Sequence, residues 1–224
     1  GGKVLGTAID KYCYLSVRRL PPFFEHKHRI VYSMIENVKG IGEIIHPAVR
    51  ETLRYLKINY GVSIHHDGDI PARSGMGSSS SFTVGLLNTM YALEGKRVSK
   101  EELTKEAICV EQELIKENVG SQDQTFAAHG GFNLIEFSVS GEISVIPVIV
   151  KPERLKDLEK CLILVFTGLS RVASVVAGDK IKNIPNNTDY LSQMQSLVDD
   201  AYKIIMSPNK NLCEFGELLN ETWR

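Results

Sequence analysis

The sequence predicts an α+β fold, and three observations carry that expectation. Val, Ile, Tyr and Leu gather with partial alternation at Lys3–Leu20, Val62–Ile70 and Phe132–Val150, as strands require. Apolar residues recur at helical spacing in Ile44–Leu56, in Ser80–Leu93 and from Leu103 to Leu114. Helices and strands interleave, yet Phe132–Phe137 and Ile143–Val150 are joined only through Ser140-Gly141, a hairpin rather than a crossover.

Lys3–Leu20 is long enough for one or two strands, and Pro21-Pro22 ends it. Arg29–Ser33 is a short strand. Ile44–Leu56 is a helix with Pro47 near its first position, where a missing N–H costs nothing, and with Val49, Leu53 and Leu56 on one face. Val62–Ile70 returns to strand. Ser80–Leu93 is a helix whose apolar face is Phe82, Leu86, Leu87, Met90 and Leu93. Ser99-Lys100-Glu101-Glu102 is a capping box. It opens a helix to about Lys116, with Leu103, Ala107, Val110 and Leu114 inward. Gly120–His129 is a loop and a short helix. After the hairpin, Pro152–Leu158 is a short helix and Cys161–Thr167 a buried strand. Ser170–Lys182, Tyr190–Met206 and Leu212–Trp223 are helices, with a polar break at Pro185–Asp189. A boundary falls near Lys151–Lys160, dividing 1–155 from 156–224.

The chain has 224 residues, 43% hydrophobic and 24% charged, with a net charge of −1. That composition suits a globular protein and excludes one recruited to nucleic acid or an anionic membrane by bulk charge. Cys13, Cys109, Cys161 and Cys213 form no Cys-x-x-Cys pair, so they are expected to be small buried apolar residues in a reducing, cytoplasmic setting rather than zinc ligands. The sequence opens on Gly1-Gly2 without a methionine and stops at Trp223-Arg224 inside a helical pattern. It is therefore expected to be a fragment of a longer protein.

Pro71–Phe82, PARSGMGSSSSF, carries the strongest chemical signal. Glycines and serines stand between a strand and an apolar helical run. Glycine lets a ligand approach the backbone, and the amides that open a helix lack intrahelical acceptors and carry the positive end of its dipole. A phosphate suits such a place. Serine at a helix start also has a purely local use as a cap. The Walker pattern is absent, because no Gly-Lys-Ser/Thr follows. In Gly120–Gly131, GSQDQTFAAHGG, Asp123 either accepts a proton from a substrate hydroxyl or, with Ser121, caps the helix that follows. Glu111 lies beside the core face of its helix and Glu113 further toward solvent. Either they are solvated carboxylates or one of them supplies the hard oxygen that magnesium takes.

Together these segments resemble the GHMP small-molecule kinases, named for galactokinase, homoserine kinase, mevalonate kinase and phosphomevalonate kinase. That family's motif of Pro, three residues and Gly-Leu-Gly-Ser-Ser stands here as Pro71 through Gly75-Met76-Gly77-Ser78-Ser79, with Met76 a volume-conserving change. TAIDKY at Thr7–Tyr12, HPAVRETL at His46–Leu53, VGSQDQ at Val119–Gln124, GGFNLIEF at Gly130–Phe137 and FTGLSRVAS at Phe166–Ser174 most resemble the heptose phosphate kinases within it.

The resemblance implies a two-domain fold. Residues 1–155 would be an ATP-binding domain like the second domain of ribosomal protein S5, and 156–224 the start of an incomplete C-terminal domain. It also implies an ATP- and Mg²⁺-dependent kinase of a sugar or sugar phosphate, most of all D-glycero-D-manno-heptose 7-phosphate. Fucose, galactose or mevalonate are the alternative substrates, and a non-catalytic nucleotide- or sugar-binding module is the alternative role. By the same resemblance Gly75, Gly77, Ser78, Ser79 and Ser80 surround the triphosphate, Ser79 and Glu111 hold the metal, Asp123 is the base, and Gly120 lines the sugar pocket. Arg171 either meets a substrate phosphate or stands in a surface salt bridge. The family's Gly-rich, Asp-containing sugar motif and its GGAGGGG-like motif are expected to lie before Gly1 and after Arg224.

Overall fold

The computed structural model describes residues 1–72, 74–165, 177–178, 183–184 and 187–223. Their mixed helices and strands make an α+β fold. Chain contacts divide it into two compact units that interleave in sequence, one built on residues 9–129 and the other on residues 1–8, 130–165 and the last two helices. These units do not coincide with a sequential division at 155/156.

The unit on residues 9–129 holds the motifs singled out above other than GGFNLIEF and the first residues of TAIDKY, while FTGLSRVAS lies outside the described residues. Its four-stranded sheet has β2 (Cys13–Arg19), β3 (His28–Val31), β4 (Ile35–Val38) and β5 (Val62–Gly68), in the order β2-β5-β3-β4. β3 runs parallel to β5, and the other pairs are antiparallel. α1 (Pro47–Tyr55) begins with its proline in the first turn. α2 (Ser78–Leu93) is the central helix. Phe82, Leu86 and Met90 join Ile30, Val49, Leu53 and Ile64 in one core, while Val84 and Leu87 pack with Leu103 and Ala107 of α3 (Lys100–Ile108) in a second. A helix buried on two sides has little amphipathic contrast, so a single apolar face understates it.

The capping box forms as expected. Glu102 N–H donates to Ser99 Oγ, and Ser99 N–H donates to the Glu102 carboxylate, each at 3.1 Å. The regular helix does not run on to Lys116, however. It widens at Cys109–Leu114 into a π-helical turn. A π turn advances each residue by less than an α turn does. Val110 and Glu111 therefore both face inward, and Leu114, expected in the core, is 39% exposed. α4 (Gln122–His129) follows.

The other unit holds a three-stranded antiparallel sheet in the order β1-β6-β7, with β1 Gly2–Thr7, β6 Phe132–Phe137 and β7 Ile143–Pro147. Three helices belong to it: α5 (Pro152–Cys161), α6 (Thr188–Met206) and α7 (Cys213–Trp223). Val148, Leu158 and Ile205 form its core with Leu5 and Phe132. Lys3–Leu20 thus makes two strands, each in a different sheet.

Several expectations are corrected. β4 (Ile35–Val38) was not expected from the sequence. Cys161 ends α5, and residues 162–165 form no strand. Ile163 and Val165 are 86% and 71% exposed, so apolar character alone did not bury them. Cys13 and Cys109 are half-buried, and Cys161 and Cys213, the last residue of α5 and the first of α7, are exposed. The helix expected over Ser170–Lys182 lies outside the described residues apart from 177–178.

Two packing details have measurable consequences. A Cβ on Gly61 would stand 2.6 Å from Lys27 O and 2.9 Å from Leu20 O. Both are main-chain atoms at sheet ends and cannot swing away. Gly61→Ala is expected to cost about 3 kcal/mol, read as a lower urea midpoint. His28 is fully buried and neither ring nitrogen has a hydrogen-bond partner. Burial, helped by the Lys27 charge, holds its pKa below the ordinary value of 6.5. The unfolded chain then binds a proton below pH 6.5 that the folded chain refuses, so stability is present above that pH and lost as pH falls through it. Wild type should lose more melting temperature than His28→Leu between about pH 7.5 and about pH 5.5.

Candidate functional site

β5 ends at Gly68, and α2 opens at Ser78. Gly75 and Gly77 have φ of +78° and +69°, the left-handed region that glycine enters without strain. Gly77 is the N-cap of α2, and no side chain caps the helix. Ser78, Ser79 and Ser80 are its first three residues, so the serine run is not spent on capping. The first helical hydrogen bond is Ser81 N–H to Gly77 O at 2.9 Å. The amides of Ser78, Ser79 and Ser80 precede it and have no acceptor within the helix.

The next element meets this helix start. A Cβ on Gly77 would lie 3.5 Å from Asp123 Cγ and 3.6 Å from its Oδ2. Asp123 is the second residue of α4, exposed, and inside the first turn rather than at the cap. Gly120 is exposed, and a Cβ there would meet nothing within 4 Å. The space beside it is open, and packing does not require glycine. Gly77→Val would place a β-branched residue in the left-handed region and push methyls against Asp123. It is expected to weaken ATP binding and to cost about 1–2 kcal/mol of stability from backbone strain; calorimetric titration and thermal melts read the two effects separately.

Glu111 is 1% exposed. Its Oε2 accepts from Ser80 Oγ at 3.0 Å and from Gln124 Nε2, while Oε1 has no hydrogen-bond partner. Burial raises its pKa above the ordinary carboxylate value, and the dipoles of Thr83, Gln124 and Ser80 pull it back in part. Glu113 is exposed. Ser79, the serine expected nearest the metal, is exposed, and Ser80 is the one in contact with Glu111. Next to Glu111, Gln112 Nε2 donates to Val119 O at 3.0 Å and to Ser121 Oγ at 3.3 Å. The π turn so presents two consecutive side chains to the segment that carries Asp123.

The glycine turn, the first turn of α2, Glu111 and Asp123 thus belong to one compact unit, with Asp123 beside Gly77 and Glu111 beneath Ser80. Arg171 lies outside the described residues. The sequence gives no signal for Gln112 and Gln124, whose amides hydrogen-bond to Val119, Ser121 and Glu111; the burial of Gln124 depends on tertiary contacts.

Such a helix start, whose leading amides have no acceptor within the helix, is suited to an anion. Residues 43–131 match the family model described as the GHMP kinases N terminal domain, and the chain carries that domain. It is 30% identical over 165 residues to a D-glycero-alpha-D-manno-heptose 7-phosphate kinase of Campylobacter jejuni, covering 72% of this chain and 48% of that protein. The chain thus spans about half the length of that relative. A mevalonate kinase of Pyrococcus horikoshii is 27% identical over 164 residues, 71% of this chain and 46% of that one. Among solved structures, a D-glycero-D-manno-heptose 1-phosphate kinase of Bacteroides thetaiotaomicron superposes with a TM-score of 0.81 at 21% identity, covering 100% of this chain and 70% of the other. Among the described residues, no helix is long and apolar enough to cross a membrane.

Proposed function

We propose that this chain belongs to an ATP- and Mg²⁺-dependent kinase of a sugar phosphate, with D-glycero-D-manno-heptose 7-phosphate as substrate, working in the cytoplasm. The observation that carries this reading is the placement of Asp123 against Gly77 at the opening of α2. A base for the acceptor hydroxyl there adjoins the amides suited to a triphosphate.

The acceptor oxygen attacks the γ-phosphorus in line, the bond from phosphorus to the β–γ bridging oxygen breaks, and ADP leaves. Asp123 receives the hydroxyl proton as the new P–O bond forms. The amides of Ser78, Ser79 and Ser80 donate to phosphate oxygens as negative charge gathers on them. Glu111 and Ser79 would hold the metal. Glu111 fits that role because Oε1 is a hard oxygen, buried and without a hydrogen-bond partner. Bound Mg²⁺ would supply positive charge against the β- and γ-phosphates. Gly120 leaves room for the sugar, and Arg171 is assigned to the phosphate that the substrate already bears, a bidentate contact that guanidinium favours.

ADP release is the test, with ATP, Mg²⁺ and, in turn, heptose 7-phosphate, fucose, galactose and mevalonate. Turnover with heptose 7-phosphate above the rest is expected. Turnover only with another acceptor would move the substrate within the class. No turnover together with no ATP-induced rise in melting temperature would overturn the reading.

A further inference from the structure

Gln124 is fully buried. An amide in a protein interior costs more than a leucine of similar size unless it is hydrogen-bonded. This one uses its Nε2 on Glu111 Oε2, and its own Oε1 has no hydrogen-bond partner. The carbonyl half of the amide is therefore unused, which a purely structural role explains poorly. Its neighbour in sequence is Asp123, exposed and beside Gly77. Successive residues on an α-helix point about 100° apart, at 3.6 residues per turn. One residue of this pair can therefore face the interior while the other faces the glycine turn.

We propose that Gln124 is a positioning residue that sets both carboxylates of the site. Its amide, with Ser80 Oγ at 3.0 Å on the same oxygen, fixes the Glu111 carboxylate so that Oε1 is left for a divalent cation. The same contact pins the first turn of α4 to the buried π turn, and that holds Asp123 against the start of α2. Gln112 adds a second tie one residue along, through Val119 O and Ser121 Oγ. The wide turn makes both ties possible. In a regular α-helix Glu111 and Gln112 would diverge by about 100°, and the narrower step of a π turn turns them toward the same segment. This rests on the reading of Glu111 as metal ligand and Asp123 as base.

The test is a double-mutant cycle of Gln124→Met with Glu111→Leu in the nucleotide-free protein, paired with Mn²⁺–ADP binding followed by the electron paramagnetic resonance of Mn²⁺. Gln124→Met keeps the volume and removes the donor. Alone, it should lower the melting temperature by about 4 °C, since a buried carboxylate loses a partner. In the Glu111→Leu background the loss should be less than half of that, because interacting residues are not additive. Mn²⁺–ADP should bind Gln124→Met at least about tenfold more weakly, the usual scale for a residue that orients a ligand. If Gln124→Met fails to fold, Gln124→Asn serves, keeping the amide but shortening its reach. Equal melting losses in the two backgrounds, or Mn²⁺–ADP affinity within about twofold of wild type, would overturn the proposal. A wild type that binds no Mn²⁺–ADP would sink the kinase reading instead, and the nucleotide-free cycle would then decide on Gln124 by itself.

Discussion

Asp123→Asn is expected to lower the turnover rate by about 10²–10⁴-fold, the range of general acid–base assistance, with ATP affinity nearly unchanged. Asparagine keeps the size and most of the hydrogen bonding of the side chain and loses only the ability to take a proton. The position makes the comparison clean. Asp123 is exposed and lies in the first turn of α4, where the favourable interaction of a carboxylate with the helix dipole is worth about 0.3–1 kcal/mol. The variant should therefore melt within a few degrees of wild type, and a rate loss cannot be assigned to unfolding. The position of Asp123 beside Gly77, where an added Cβ would lie 3.5 Å from its Cγ, argues against a purely local role, because the group faces another element rather than its own helix end. Steady-state kinetics with heptose 7-phosphate, alongside nucleotide titration, reads the two quantities. A variant turning over at the wild-type rate would remove Asp123 from the mechanism.

What could be foreseen from the residues follows the range of the interactions involved. Capping and turn chemistry are local, so the Ser99–Glu102 box, Pro47 in the first turn of α1 and the glycine turn before α2 were legible. Periodicity located α2 but missed that it is buried on two sides, since that depends on α3 packing against it from a distant part of the chain. Widening into a π turn has no sequence signature. Within it Glu111 pairs with Ser80 and Gln124, partners 31 and 13 residues away. Long-range pairing also hid Gln124, a polar residue whose burial only tertiary contacts reveal. Residues 162–165 failed in the opposite direction. They have the composition of a buried strand, but composition names no partner, and none of the described strands pairs with them.

Glu111→Gln should separate function from stability in opposite directions. As the proposed metal ligand, Glu111 supplies a charge, and glutamine supplies only a neutral carbonyl that Mg²⁺ accepts poorly. The Mg²⁺ concentration needed for half-maximal rate should rise by about tenfold or more, and the rate at saturating Mg²⁺ should fall, by analogy with the 10–100-fold losses seen on weakening a metal site's support. Glu113→Gln, on the exposed side of the same turn, should change neither. Stability should move the other way. Burial disfavours the charged carboxylate and raises its pKa, despite the donors around it. Because the folded-state pKa is raised, this group favours the folded state only while protonated. Its contribution is present at low pH and lost as pH rises through the folded value, so burying this carboxylate works against the fold once the pH is above the unfolded value. Glutamine is neutral at every pH. Its carbonyl oxygen can take the hydrogen bonds from Ser80 and Gln124 that Oε2 now accepts. The metal-free variant is therefore expected to melt above wild type, and the gap should narrow on acidification, as the wild-type carboxyl takes up its proton. Such a reversal is what a site built for a cation predicts, since the ion would offset the desolvation of the buried carboxylate. Calorimetry without added metal reads the first effect, and a Mg²⁺ titration of ADP release the second. A variant that melts below wild type while turning over normally would make Glu111 a structural acid and take the metal site elsewhere.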